Sequence, residues 1–264
     1  MSDSADDEIQ YPTGFGLSDV VSWGTTGMVV LDKASSTAIK VPFDHGNKDC
    51  LLHIQRERDV YERLTQRGGH EGLLAYHGVF ESGIRLEYAP GHNLRLQFGD
   101  RDVSSAQRLR WAIQVSEALA FIHDAGVIHG DFTCAKIFLD ANLNARVADF
   151  AGSSMDGSPL LVIVTESHES PGPRLSIQAD LFALGSVLYE ITTSHPPYKD
   201  LDGAEIRSLY PERKFPETAS LGAIGAIIEK CWQGSYSGAG SVVEDLRGNY
   251  FYSSKGSREF GIIL

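Results

Sequence analysis

The chain has 264 residues, of which 42% are hydrophobic and 22% charged, and a formal net charge of −12. This suits one large domain or two small lobes with a substantial core, and the composition is ordinary for a globular protein. The acidic balance argues against broad binding to nucleic acid or anionic membrane, which reward an excess of Lys and Arg, but leaves room for a small basic site that takes a nucleotide.

Residues 1–10 are polar and acidic. They lack the apolar side chains that would offset the entropy of ordering, so a disordered tail is expected, and no h-region of a secretory signal is visible in them. Short β-rich segments follow at 27–31 and 37–41, the first preceded by a Gly-containing turn. Residues 51–64 read as a charged helix with Ile54, Arg58 and Tyr61 at helical spacing, and 73–80 and 84–88 return to strand character. Pro90-Gly91 marks a break. A helix is expected over 104–124, capped by Ser104 or Ser105, with Leu109, Ile113, Ala120 and Phe121 on one face. Short strand-like runs at 127–128, 137–139 and 145–147 surround turns. An apolar helix over 178–192 should be buried, and further helices cover 221–232 and 241–247.

The expected class is α+β and bilobal. A small β-rich lobe with one helix spans 11–88, a larger mainly helical lobe spans 89–252, and a tail spans 253–264. The hydrophobic end at 260–264 reads as an untidy terminus or as a segment that docks on the domain or a partner. No stretch approaches the ~20 apolar residues of a spanning helix. Cys50, Cys134 and Cys231 are widely spaced with no C-x-x-C pair, which argues against a disulfide framework or zinc knuckle. Reduced thiols of this kind suit a cytoplasmic or nuclear protein.

Several motifs carry chemistry in sequence order. Ser22-Trp23-Gly24-Thr25-Thr26-Gly27-Met28-Val29 is by itself a hairpin signal, though such turns also let backbone N–H groups approach phosphate oxygens. Thr37-Ala38-Ile39-Lys40 places a lysine at the end of a strand, and Glu57 on the next helix could pair with it. Ile84-Arg85-Leu86-Glu87-Tyr88-Ala89 supplies a strand running into a break, as an adenine-binding hinge requires. Ile128-His129-Gly130-Asp131 through Lys136-Ile137-Phe138-Leu139, then Val147-Ala148-Asp149-Phe150-Ala151-Gly152, puts two aspartates on turns after short strands. That arrangement suits phosphoryl transfer, one carboxylate orienting or deprotonating a hydroxyl and the other holding Mg²⁺ on the phosphates. Two helix-capping aspartates are the plainer alternative.

Over residues 20–250 these motifs resemble the eukaryotic protein kinase family, and their wording is similar to fungal kinase-like proteins. The resemblance implies ATP and Mg²⁺ as cofactors, with Asp131 as catalytic base, Lys40 and Glu57 positioning phosphates, and Asp149 holding the metal. It implies a glycine loop at Gly24 and Gly27, an adenine sandwich of Val29, Ala38 and Phe138, a gatekeeper at Leu86, and adenine contacts from the backbone of Glu87 and Ala89. Asp180-Leu181-Phe182-Ala183-Leu184-Gly185 resembles the start of the buried helix whose aspartate braces the catalytic loop, and Pro196-Pro197-Tyr198 and Lys230-Cys231-Trp232 match further positions.

The pattern departs in several places. Ser22 replaces the first loop glycine, and Lys136 stands where the family has a metal-ligating asparagine. Two unit charges ~4 Å apart at an effective dielectric of ~20 interact by roughly 4 kcal/mol, so Lys136 should repel Mg²⁺ there while attracting Asp131 or Asp149. Either it partly replaces a second metal ion as a phosphate counter-charge, or it swings out to solvent. Gly130 replaces the arginine that receives an activation-loop phosphate, which argues against that switch. Thr133 also departs from the pattern, Ala151 replaces the last glycine of D-F-G, and no clean A-P-E is visible. Ser170-Pro171-Gly172 is the nearest candidate, with Glu169 displaced and no arginine near Ala239 to pair with it.

Three functions follow from these residues. The leading one is ATP-dependent phosphorylation of protein Ser/Thr or Tyr hydroxyls, with weakened activity. The second is a pseudokinase acting through a regulatory protein partner. The third is a small-molecule phosphotransferase, since His129-Gly130-Asp131 also resembles the H-G-D of aminoglycoside phosphotransferases. None involves nucleic acid or membrane.

Overall fold

Alternation of side chains along adjacent strands sets the first lobe of the computed structural model, which describes residues 9–98 and 103–256, with side chains described through Gly248. Strands β1 (Val20–Trp23), β2 (Gly27–Asp32) and β3 (Thr37–Pro42) lead into helix α1 (Lys48–Gln66), then β4 (Tyr76–Phe80) and β5 (Gly83–Glu87). They form an antiparallel sheet in the order β1-β2-β3-β5-β4. Met28, Val30, Ile39 and Val41 bury one face of it against Tyr11, Phe15 and Phe80. The period of two then turns Val29, Ala38 and Lys40 to the opposite face. Register places Val29 across from Lys40, and Ala38 across from Leu86, so these four share the face that looks toward the second lobe.

Two strand expectations change. β1 was not foreseen as a strand, because as a largely exposed edge it carries no alternating apolar signal. The segment read as a strand from residue 73 joins the sheet only at Tyr76. Leu73 instead bridges Val147, and the Leu74 N–H donates to the Val147 carbonyl at 3.2 Å, which ties the two lobes behind the cleft. Helix α1 starts where Asn47 caps it, accepting from the N–H groups of Asp49 and Cys50. Its buried face is Cys50, Ile54, Glu57, Val60, Tyr61 and Leu64, with one carboxylate among apolar neighbours.

The second lobe comprises α2 (Ser105–Asp124), β6 (Val127–Ile128), β7 (Ile137–Leu139), β8 (Ala145–Val147), β9 (Ser154–Met155), α3 (Ile177–Thr193), α4 (Gly203–Leu209), α5 (Ala223–Trp232) and α6 (Ala239–Gly256). Ser104 is the cap of α2, accepting from the Gln107 N–H at 3.2 Å. Its core face is Trp111, Val115, Ala118, Leu119 and Ile122, whereas Leu109, Ile113, Ala120 and Phe121 are only partly buried. Those four pack against the same core from the flank of the fully buried stripe. α3 runs through the middle of the lobe, and Leu184, Val187, Leu188 and Ile191 are fully buried. Gly185 lets α5 come close: a Cβ there would sit 2.8 Å from Cys231 Cβ, and the Trp232 indole N–H reaches Ser186 Oγ at 3.1 Å. The short α4, not foreseen, is held by a reciprocal capping box between Asp202 and Glu205. Among the described residues no helix is long and apolar enough to cross a membrane.

Leu184→Ala should leave a cavity in the middle of the lobe and cost about 2–5 kcal/mol in urea denaturation. Val79→Thr, on the exposed face of β4, should change stability by less than about 0.5 kcal/mol.

Candidate active site

The turn through His129, Gly130 and Asp131 is built on one carboxylate. Ser176 caps α3, and one turn in, Asp180 is 1% exposed. Its Oδ2 accepts the His129 N–H at 2.7 Å and its Oδ1 the Gly130 N–H at 2.9 Å, while His123 Nε2 lies 2.9 Å from Oδ2. Gly130 has φ +78°, and a Cβ there would meet the Leu160 side chain at 2.4 Å. The turn therefore favours glycine, and a side chain here would displace the end of Leu160. His129 is buried, its Nε2 facing the Ala148 carbonyl at 3.2 Å and its Nδ1 accepting the Asp131 N–H at 3.3 Å. The carbonyl can only accept, so Nε2 carries the proton.

Five charged side chains meet beside this turn. Lys40 Nζ lies 2.7 Å from Glu57 Oε2 and 2.6 Å from Asp149 Oδ1. Lys136 Nζ pairs with Asp149 Oδ2 and stands 3.7 Å from Asp131 Oδ2. Glu57 is 1% exposed and accepts the Phe150 N–H at 3.3 Å on its other oxygen. Burial alone would push the Lys40 ammonium down, but Asp149 and Glu57 outweigh it and hold its pKa above the usual lysine value. Burial would likewise raise Asp149, yet Lys40 and Lys136 keep its carboxyl well below the usual range. Glu57, deepest of the set, is raised by burial first and by Asp149 second. Asp131 Oδ1 is buried and has no hydrogen-bond partner among the described residues. An acceptor left open in this way is costly to stability and so points to a role.

Asp149 itself takes the left-handed conformation, φ +67°, whereas Ala151 does not. The replacement of glycine by Ala151 therefore brings no backbone strain in this arrangement. Phe150 is fully buried in a column of rings: Tyr76 on Tyr61, Tyr61 edge-on to Phe150 at 5.1 Å, Phe150 against His129 at 5.3 Å, and His129 edge-on to Phe132. This column joins α1 and β4 to the Asp180-anchored turn.

The segment after Phe150 is pinned to α1 by contacts invisible in the sequence. Arg56 donates to the carbonyls of Ser153 and Pro159, His53 Nε2 lies 3.0 Å from the Leu161 carbonyl, and Arg63 pairs with Asp156 at 2.7 Å. Farther on, Glu169 pairs with Arg174 and, at 3.0 Å, with Arg207 of α4. The partner sought near Ala239 thus comes from a different helix. His168 is fully buried, with Nε2 3.8 Å from Glu190. That distance is too long for a hydrogen bond, and Arg95 already covers both Glu190 oxygens at 2.8 and 3.2 Å. Burial, assisted by Arg95, pushes the His168 pKa down to about 3.

Between the lobes the cleft has Val29, Ala38 and Leu86 on one wall, and Phe138 on the other, packed with Leu74, Ala89 and Ala148. The hinge is tied back by the Glu87 N–H, which donates to the Ala75 carbonyl at 2.8 Å, and by the Glu87 carboxylate, which accepts the Ala75 N–H. The glycine loop is a closed turn: the Gly24 N–H donates to the Gly27 carbonyl at 2.8 Å. Gly27 is also needed for close strand packing, since a Cβ would meet the Val41 carbonyl at 2.4 Å.

Comparison with known proteins bears on the whole arrangement. Residues 16–238 match the model of the protein tyrosine and serine/threonine kinase family. The chain belongs to that family. It is 28% identical over 213 residues to mitogen-activated protein kinase kinase kinase 1 of Arabidopsis thaliana, covering 71% of this chain and 33% of that one. It is 26% identical over 263 residues to the serine/threonine-protein kinase mos of Patiria pectinifera, covering 88% and 73%, and 27% identical over 201 residues to mouse Aurora kinase C, covering 70% and 71%. The chain thus spans about a third of the Arabidopsis kinase.

The family implies ATP and a divalent metal, usually Mg²⁺. The apolar cleft walls, the hinge and Lys40 fit a nucleotide. The metal fits in part. Asp149 offers a carboxylate, but an ammonium occupies the place of the second oxygen ligand, and among the described residues no group of three or more His, Cys, Asp or Glu side chains is arranged to hold a metal ion.

The low pKa of His168 gives a pH dependence with a definite sign. Between its ordinary value of 6.5 and about 3 the unfolded chain binds the proton that the folded chain refuses. Its stability contribution is intact above pH 6.5 and falls as the pH drops through that window, by about 1.4 kcal/mol per pH unit. Urea denaturation at pH 7, 6 and 5 should show a shallower loss for His168→Gln than for the wild type.

Proposed function

We propose that this domain binds ATP and transfers its γ-phosphoryl group to Ser/Thr or Tyr hydroxyls of a protein substrate. The observation that carries this reading is the assembled cluster: Lys40 held between Glu57 and Asp149, with Asp131 beside them presenting an unpartnered carboxylate oxygen. Adenine lies between Val29 and Ala38 on one side and Phe138 on the other, with Leu86 behind it and the backbone of Glu87 and Ala89 along its edge. The turn from Gly24 to Gly27 covers the phosphates. Lys40, fixed in direction by buried Glu57, neutralises phosphate charge. Asp131 Oδ1 accepts the hydrogen of the incoming hydroxyl and orients its oxygen for in-line attack. Mg²⁺, when bound, is held by Asp149 and supplies charge neutralisation on the phosphate oxygens.

Four groups drawn from separate elements converge on one ion cluster, which favours chemistry over a purely interacting module. Within the family we place the chain with divergent fungal kinase-like proteins, on the overall wording of its motifs. We assign it to the cytoplasm or nucleus, on its buried free thiols. Switching by an activation-loop phosphate is replaced by direct contacts: Leu160 fills the space beside Gly130, and Arg56 and His53 hold the segment by its carbonyls.

Turnover of radiolabelled ATP with generic protein substrates tests the reading. Wild type should transfer phosphate, and Asp131→Ala should lower the rate by about 10²–10⁴-fold. Folded wild type that transfers nothing would overturn the proposal. Phosphatase treatment should leave the rate unchanged, whereas Arg56→Ala, which frees the segment from α1, should lower kcat by about tenfold or more.

A further inference from the structure

Lys136 is fixed at the centre of the anionic cluster. Its N–H donates to the Thr133 carbonyl and its carbonyl accepts the Ala148 N–H, both at 2.9 Å, so its backbone is locked between the two aspartate turns. Its side chain is 28% exposed, with the ammonium on Asp149 Oδ2 and 3.7 Å from Asp131. It does not swing out to solvent. Because Lys40 holds Oδ1, both oxygens of the Asp149 carboxylate already face a cation. A divalent ion reaching Asp149 has to displace one ammonium and approach the other, and it finds no amide oxygen where the family supplies one.

We propose that the Lys136 ammonium is a built-in counter-cation for the nucleotide's phosphates, so that this site binds a nucleoside triphosphate without requiring a divalent metal. Two ammonium groups face three carboxylates here, which leaves the pocket less anionic than it would be with an asparagine at 136. Arriving phosphates therefore meet less repulsion. Asp149 is 26% exposed beside Lys136, so the ammonium stands on the open side of the cluster, within reach of solvent and of a ligand. A lysine ammonium has three donors and no acceptor. It can keep its ion pair with Asp149 while donating to a phosphate oxygen, which an asparagine cannot do as a cation. The inference rests on the ATP reading above.

Calorimetric titration of the full chain with ATP, once in EDTA and once in excess magnesium chloride, separates the two. Wild type should bind in both, with affinities within about threefold of each other. Lys136→Asn, which removes the cation and offers an oxygen ligand, should lose at least about tenfold in affinity when magnesium is withdrawn. Lys136→Gln serves as a second variant, and thermal unfolding without nucleotide checks that each is folded. ATP binding by wild type that needs magnesium overturns the inference and leaves the ATP reading standing. Equal indifference to magnesium in wild type and a folded Lys136→Asn also overturns it, since the lysine would then not be responsible. No ATP binding by wild type in either solution overturns both.

Discussion

The carboxylate of Asp180 holds in place the turn that carries Asp131. It is buried at the N-terminal turn of the central helix and accepts from two consecutive backbone N–H groups, those of His129 and Gly130. Consecutive amides pointing the same way require a tight turn, and Gly130 supplies the left-handed φ that makes one. The turn in turn aims Asp131 into the cleft. His129, held by the same carboxylate, puts its ring under Phe150, and Phe150 packs under Tyr61 of α1. One buried anion thereby sets both the direction of the candidate base and the height at which the N-terminal lobe rests.

Above that anchor the site is an ion cluster whose members come from β3, α1 and the turns before β7 and after β8. Neither Glu57 nor Lys40 would be stable alone at its depth. Glu57 is tolerated because Lys40 pairs with one of its oxygens and the Phe150 N–H donates to the other, and Lys40 because two carboxylates outweigh its desolvation. The cluster closes only when α1 lies against the sheet, and the contacts of Arg56, His53 and Arg63 with the following segment keep it there. The loss of the loop arginine at Gly130 and the gain of carbonyl contacts from α1 are two parts of one arrangement. Where a phosphate would draw the segment toward an arginine, Leu160 packs against bare backbone instead.

Much of this was legible in the residues. The order of Lys40, Glu57, Asp131 and Asp149 along the chain carries the kinase fold, because each needs its own element and the spacing between them fits those elements. Helix 104–124 and the buried helix before Ser194 were also legible from caps and apolar runs. The edge strand β1 was not, since exposed residues leave no alternating trace. Arg56, His53, Arg95 and His168 gave no signal, as their partners lie far off in sequence and are carbonyls or carboxylates that any segment could supply.

The sequence by itself determined the family, the two-lobed architecture and which side chains can carry charge into the cleft, because these depend on residue type and order. Only the tertiary structure decided where Lys136 points, that Ala151 sits without strain, and that Glu169 pairs with Arg207. Each of these is a matter of distance between segments that are remote along the chain. An ammonium on a flexible stem has no preferred partner until the backbone on either side of it is fixed, and here two turns, one ending in Asp131 and the other in Asp149, fix it.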